Sequence, residues 1–253
     1  MKDTLLKAIN EAGNLMKESF NGVFKITHKE GINNLVTEVD QACERLITKI
    51  IKEKFPDHGI VGEEYGEHDM QARYKWIVDP IDGTVNFAHG VPLCCVSIGL
   101  MDGNTMIMGA VYNPLMNELF FAEKGKGAFL NDNPIRVSKN RELERAFLVT
   151  GFPYHFPIGK NPFSIFERLV TSGIPVRRLG SAALDLCWVA CGRFDGFWEY
   201  NLNPWDVAAG YLIVEEAGGT VTDFYNKTNS IWDKETLATN GLIHEDLRAE
   251  IIA

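Results

Sequence analysis

A chain of 253 residues, 45% hydrophobic and 23% charged, is large enough for one sizeable domain or two small ones and has the make-up of a globular protein. Its formal net charge of -9 and lack of any basic cluster exclude a nucleic-acid footprint. No apolar run reaches membrane-spanning length, no signal-peptide pattern opens the chain, and the five cysteines show no Cys-x-x-Cys spacing. Free thiols in the cytoplasm are therefore expected, with no membrane partner.

In chain order, Leu5, Leu6, Ile9, Ala12, Leu15, Met16 and Phe20 share one face of a helix over residues 3–20. A polar stretch precedes a second amphipathic helix carrying Ala42, Leu46, Ile47, Ile50, Ile51 and Phe55, stopped by Pro56. From Cys94 the pattern turns to strands, with a hairpin turn at Asp102-Gly103-Asn104 and glycine-rich turns beyond it. Residues 1–145 thus read as two long helices against a largely antiparallel sheet. Residues 146–253 alternate. Strands are expected in "RAFLVTGF", "IPVRRLG" and "FDGFWEY". Helices are expected over 160–172, after a Ser181 cap, and from near Asp206 to Gly218-Gly219.

Four acidic places share one grammar: an apolar strand or turn ends in a carboxylate beside a helix start. They are Asp40 in "LVTEVD", Glu63-Glu64 in "IVGEE", Asp79 with Asp82 in "WIVDPIDGTVNF", and Asp206 in "NPWD". Taken singly, Asp40 and Asp206 read as N-caps, Glu63-Glu64 as a solvated turn, and Asp79 and Asp82 as turn residues around Pro80. Together they read as a site. Like charges packed closely disfavour ionisation unless a cation lies between them, and carboxylate oxygens with no histidine inside the motifs suit a hard ion, magnesium above all. Gly83 and Thr84 follow at once. A helix starting there would present free N–H groups to an anion, so the stretch describes a phosphoryl-transfer site economically. Bound cations would also reverse the field that a phosphate meets on an acidic protein.

"DPIDGTVNF", with "VGEE" upstream and "PWDVAAG", "RRLGSAALDLC" and "EEAGG" downstream, resembles the inositol monophosphatase family within the lithium-sensitive, magnesium-dependent phosphatases. The motifs occur in family order and span nearly the whole chain. The resemblance implies an α+β fold, a five-layer αβαβα sandwich of the inositol monophosphatase and fructose-1,6-bisphosphatase type, and a homodimer. It implies two or three Mg2+ per site and hydrolysis of a phosphate monoester by metal-activated water, without a phosphoenzyme. Glu63, Asp79 and the carbonyl of Ile81 match ligands of one metal, and Asp79, Asp82 and Asp206 those of a second. Glu63 and Thr84 match the pair that orients and deprotonates water, and Asp40 an acid supporting a weaker third metal. Lys29 matches loosely.

The same resemblance assigns substrate contacts to Asp82, Gly83, Thr84, Asp206, Ala182 and Glu199, the last two against polyol hydroxyls. Read alone, Glu199 is a surface acid at a strand end. The implied substrate is a small phosphorylated polyol or sugar, myo-inositol monophosphate first. Histidinol phosphate, fructose 1,6-bisphosphate, NADP and 3′-phosphoadenosine nucleotides are alternatives on the same scaffold. A regulatory binding role is the reading from another class; its signature, a lost metal ligand, is absent from the sequence.

Overall fold

The computed structural model describes residues 1–28, 35–153, 161–227 and 230–253. Lys29 lies outside them. Helix α1 (Lys2–Ser19) buries Leu5, Ala8, Ile9, Ala12 and Met16, and α2 (Glu38–Lys54) buries Val39, Cys43, Ile47, Ile50 and Ile51. Those three- and four-residue spacings put one apolar stripe on each helix, and the stripes pack together and onto a sheet. Strands β1 (Ile26–His28) and β2 (Leu35–Thr37) pair antiparallel between the two helices.

The sheet beneath is built from β3 (Gly59–Gly62), β4 (Gly66–His68), β5 (Tyr74–Asp82), β6 (Cys95–Asp102), β7 (Thr105–Asn113), β8 (Glu118–Glu123), β9 (Ala128–Leu130) and β10 (Asn133–Pro134), in the order β10-β9-β8-β7-β6-β5-β3-β4. Only the β3–β5 pair is parallel. The expected hairpin turn is present, with Gly103 at φ 59° between β6 and β7. Pro80 has no N–H for the ladder. The register therefore slips between Asp79, opposite Ser97, and Asp82, opposite Cys95. This bulge delivers both aspartates at the end of the strand rather than along its face. The five-residue helix α3 (Thr84–Ala88) follows immediately.

The remaining strands, β11 (Leu148–Thr150), β12 (Val176–Arg178), β13 (Gly196–Tyr200), β14 (Thr220–Thr222) and β15 (Glu235–Thr239), form a second sheet in the order β12-β11-β13-β15-β14. Helix α5 (Ala182–Ala190) follows β12, and α6 (Pro204–Glu216) follows β13; both lie between the two sheets. Every residue of α5 is buried. Apolar on all sides, α5 and α6 carry no amphipathic stripe because both faces meet a sheet. Contact is close: a Cβ on Gly109 of β7 would lie 2.8 Å from the Ala209 carbonyl oxygen and 2.9 Å from its Cα.

Helices α4 (Pro162–Thr171) and α7 (His244–Ile252) cover the outer side of the second sheet. The layers run α1/α2, eight-stranded sheet, α5/α6, five-stranded sheet, α4/α7: the five-layer αβαβα sandwich that the resemblance implies. Helix α7 was not anticipated. Among the described residues no helix is long and apolar enough to cross a membrane.

Two helix starts differ from expectation. Thr37, not Asp40, caps α2, accepting the N–H groups of Val39 and Asp40; Asp40 is the third helical residue and accepts the Thr37 N–H at 2.9 Å. Asp206 is likewise third in α6, behind Asn203 and Pro204, and accepts the Asn203 N–H at 2.6 Å. Both acids are the returning half of a capping box, in which the carboxylate reaches back to the cap. Ser181 precedes α5, but its hydroxyl makes no capping bond. It is engaged by the site.

Candidate active site

Three carboxylates converge. One oxygen from each of Asp79, Asp82 and Asp206 lies within 4.8 Å of the other two. Asp79 and Asp82 come from the bulged end of β5, and Asp206 from the first turn of α6 across the interlayer space. Asp79 is buried and folds back so that its Oδ1 accepts the Ile81 N–H at 3.0 Å. Burial, reinforced by the charges of Glu63, Asp82 and Asp206, raises its carboxyl well above the usual range. Asp206 is raised in the same way, by burial and then by Asp82 and Glu63.

Asp82 explains the behaviour of Ser181. Its Oδ2 accepts both the Ser181 hydroxyl and the Ala183 N–H at 2.7 Å. The N-terminus of α5 is therefore capped by an aspartate from the other sheet, which satisfies an orphan N–H and places negative charge at the positive helix end. Burial nevertheless pushes Asp82 up to about 6, against the pull of those hydrogen bonds.

Thr84 sits over a second acid. Its hydroxyl lies 3.0 Å from the Ile81 carbonyl oxygen and 3.1 Å from Asp40 Oδ1, with one hydrogen to give between two acceptors. Asp40 is fully buried behind it and also takes the Thr37 hydroxyl; burial pushes its carboxyl up to about 6. Glu63 follows β3 and lies beside the three-aspartate group rather than within it. Its charge reaches Asp40, Asp79, Asp82 and Asp206. Gly83 has φ 86°, and a Cβ there would lie 2.8 Å from the Leu93 carbonyl oxygen, so only glycine turns the chain from β5 into α3.

These groups open on a cavity of about 300 Å³ lined by Glu63, Asp79, Ile81, Asp82, Gly83, Thr84, Ala182, Glu199 and Asp206, among others. Among the described residues that the family resemblance makes metal ligands, catalytic groups or substrate contacts, only Asp40 has no face on this cavity. The surface reading of Glu199 is wrong. Because β13 is interior to its sheet, Glu199 is buried, and burial together with Asp206 pushes its carboxyl up to about 8. Its carboxylate fills the space that a Cβ on Gly151 would need.

Arg178 and Asp185 line the same cavity and were missed. Arg178 is the positive charge felt by both Asp185 and Glu199. Asp185 is buried in α5, and among the described residues its Oδ1 has no hydrogen-bond partner. In sequence both lie inside "RRLGSAALDLC", Arg178 directly after Arg177 and Asp185 among apolar residues, but no spacing there gives either a role.

The donor set fits a hard cation. The three-aspartate group offers only carboxylate oxygen, and Ile81 lines the same cavity. Acids raised by mutual proximity are what a cation between them would relieve. An oxygen-rich metal site, a neighbouring hydroxyl and a cavity of small-ligand size can together bind a phosphate ester and direct water at it.

The inositol monophosphatase family model matches residues 1–253. An inositol-1-monophosphatase of Synechocystis sp. is 43% identical over 249 residues, 98% of this chain and 87% of that protein. A fructose-1,6-bisphosphatase/inositol-1-monophosphatase of Thermotoga maritima is 40% identical over 245 residues, 97% and 93% of the two chains. The crystal structure of the extragenic suppressor protein suhB from Bartonella henselae superposes with a TM-score of 0.93 at 37% identity, covering 99% of this chain and 97% of that one. With the fold, the acidic cluster and these likenesses in agreement, this chain belongs to the inositol monophosphatase family of metal-dependent phosphoric monoester hydrolases.

Proposed function

We propose that the protein hydrolyses a small phosphorylated polyol, myo-inositol monophosphate first, with magnesium held by Glu63, Asp79, the Ile81 carbonyl, Asp82 and Asp206. The observation carrying this reading is the convergence of Asp79, Asp82 and Asp206 at a cavity that also holds Glu199. When bound, magnesium offsets the acids, attracts phosphate oxygens and makes water acidic enough to serve as a nucleophile near neutral pH.

The chain's own residues supply the rest. Thr84 and Glu63 orient the attacking water. Because Asp40 and the Ile81 carbonyl accept the Thr84 proton, the threonine oxygen is free to accept one from water. Gly83 brings the backbone of residues 83 and 84 to the cavity without a side chain in the way. Ala182 leaves room on the opposite wall, where Glu199 meets polyol hydroxyls; a carboxyl pushed up to about 8 is a donor as well as an acceptor near pH 7. The family resemblance supports a cytoplasmic homodimer.

Arg178 on the cavity wall favours a second reading, a bisphosphate such as fructose 1,6-bisphosphate, whose far phosphate would meet a guanidinium. The relative named for both activities is consistent with either. Magnesium-dependent phosphate release from inositol 1-phosphate, fructose 1,6-bisphosphate, histidinol phosphate, NADP and 3′-phosphoadenosine 5′-phosphate separates them. Preference for inositol phosphate, lost in Glu199→Gln, supports the first reading. Preference for the bisphosphate, lost in Arg178→Gln, replaces it with the second.

A further inference from the structure

Glu63 is the one proposed metal ligand that neither a helix nor the bulged end of β5 holds in place. It leaves β3 into a tight turn, and its own N–H bonds the Val78 carbonyl at 3.3 Å, at the long end for a backbone hydrogen bond. What fixes that turn comes from α2. Glu44 is buried to 1% exposure, and its carboxylate accepts the Glu64 N–H at 2.8 Å and the Tyr65 N–H at 3.0 Å, one on each oxygen. The next residue on the helix, Arg45, donates to the Tyr65 hydroxyl. Two consecutive residues of α2 thus grip the turn from one side.

Gly62 completes the arrangement. It is not among the glycines with positive φ, so its backbone does not require glycine. Space does. A Cβ at position 62 would overlap the Glu44 carboxylate and lie 2.5 Å from its Cδ. Glycine stands before Glu63 because the clamp occupies that volume. Asp40 and Glu44 are four residues apart, hence neighbours on one face of α2. One rigid helix therefore sets both the acid behind Thr84 and the turn that presents Glu63.

We propose that Glu44 is a positioning residue for Glu63: it holds the 63–65 turn by its two N–H groups and so sets the strength of magnesium binding at the three-aspartate group. The proposal rests on the metal-site reading above. Glutamine is the informative replacement. It keeps the shape and one acceptor oxygen, but turns an NH2 toward the other N–H and leaves that donor unpaired.

The test is a magnesium titration of activity, with calorimetric magnesium binding and amide hydrogen exchange, on wild type, Glu44→Gln, Gly62→Ala and Ile47→Val. Losing a partner that orients a metal ligand weakens metal affinity by roughly 10–100-fold. Glu44→Gln is expected to raise both the half-maximal magnesium concentration and the calorimetric Kd by that order, and to speed exchange at Glu64 and Tyr65 in the metal-free protein. Gly62→Ala, which pushes the carboxylate aside, is expected to do the same, and the double variant to be no worse than either single one. Ile47→Val loosens α2 without touching the turn and is expected to keep the wild-type magnesium requirement. Should Glu44→Gln not fold, Gly62→Ala decides. Unchanged magnesium affinity with unchanged exchange at residues 64 and 65 overturns the proposal. Should wild type itself neither bind magnesium nor release phosphate, the metal-site reading fails instead, whatever the exchange experiment finds at the turn.

Discussion

Asp82→Asn separates what the acidic cluster does for catalysis from what it costs the fold. Both of its strong hydrogen bonds, from the Ser181 hydroxyl and the Ala183 N–H, end on the same oxygen, Oδ2. The single carbonyl of asparagine can therefore keep both, and α5 keeps its cap. The charge is what goes. A carboxyl raised from 3.8 to about 6 costs the ionised, metal-free fold on the order of 3 kcal/mol near pH 7. The sign follows from proton counting. Between the two values the folded state holds more protons than the unfolded one, so wild-type stability falls as pH rises through that window.

In chelator, Asp82→Asn should therefore unfold at a higher temperature than wild type near pH 7, by on the order of 5–10 °C for a chain of this size. The gap should shrink toward pH 4, where the folded carboxyl is protonated and the unfolded one is close to its own value of 3.8. Magnesium should raise the melting temperature of wild type much more than that of the variant, and the variant should not turn over. Scanning calorimetry from pH 4 to pH 8, with and without magnesium, reads all three. A variant less stable than wild type at every pH, or a gap that widens in acid, would refute the electrostatic reasoning and leave Asp82 a structural cap.

Asp206→Asn should abolish turnover while circular dichroism stays that of wild type, because asparagine can still accept the Asn203 N–H; in chelator its melting temperature should rise near pH 7, since the wild-type carboxyl too is raised by burial and by Asp82. Unchanged turnover would remove Asp206 from the metal site. Gly109→Ala should destabilise by about 1–3 kcal/mol in denaturant unfolding, since the added methyl meets the Ala209 backbone, which cannot rotate away; a neutral result would mean that the sheet and α6 pack less tightly than described. On the strength of the family resemblance alone, lithium should compete with magnesium and inhibit; an inhibition assay at fixed magnesium checks it, and insensitivity would point to a lithium-tolerant relative.

The motif around Asp79 and Asp82 was legible because its chemistry is local. Proline, two acids and glycine within five residues can do little but end a strand and turn. The long outer helices were legible because one face of each is wet. The interlayer helices were found from their caps and terminal glycines, since buried residues on all sides leave no period to read. Asp40 and Asp206 were recognised as helix-start acids but placed too early, because a capping box is recognised by the residue three positions before the acid, here Thr37 and Asn203. Glu199 could be buried only because β13 has neighbours on both sides, a fact of sheet order that no local pattern carries. The bond of Ser181 to Asp82 and the roles of Glu44, Arg178 and Asp185 stayed hidden for the same reason. Each matters through a partner or a cavity that chain folding brings to it.

One titration decides whether the three-aspartate group is the metal site of a phosphatase. Purified protein is stripped with chelator, and phosphate release from myo-inositol 1-phosphate is followed as magnesium is restored. No release is expected in chelator, and restored magnesium should bring a saturable rise that is absent from Asp206→Asn. Turnover that persists in chelator, or that Asp206→Asn retains, would contradict it.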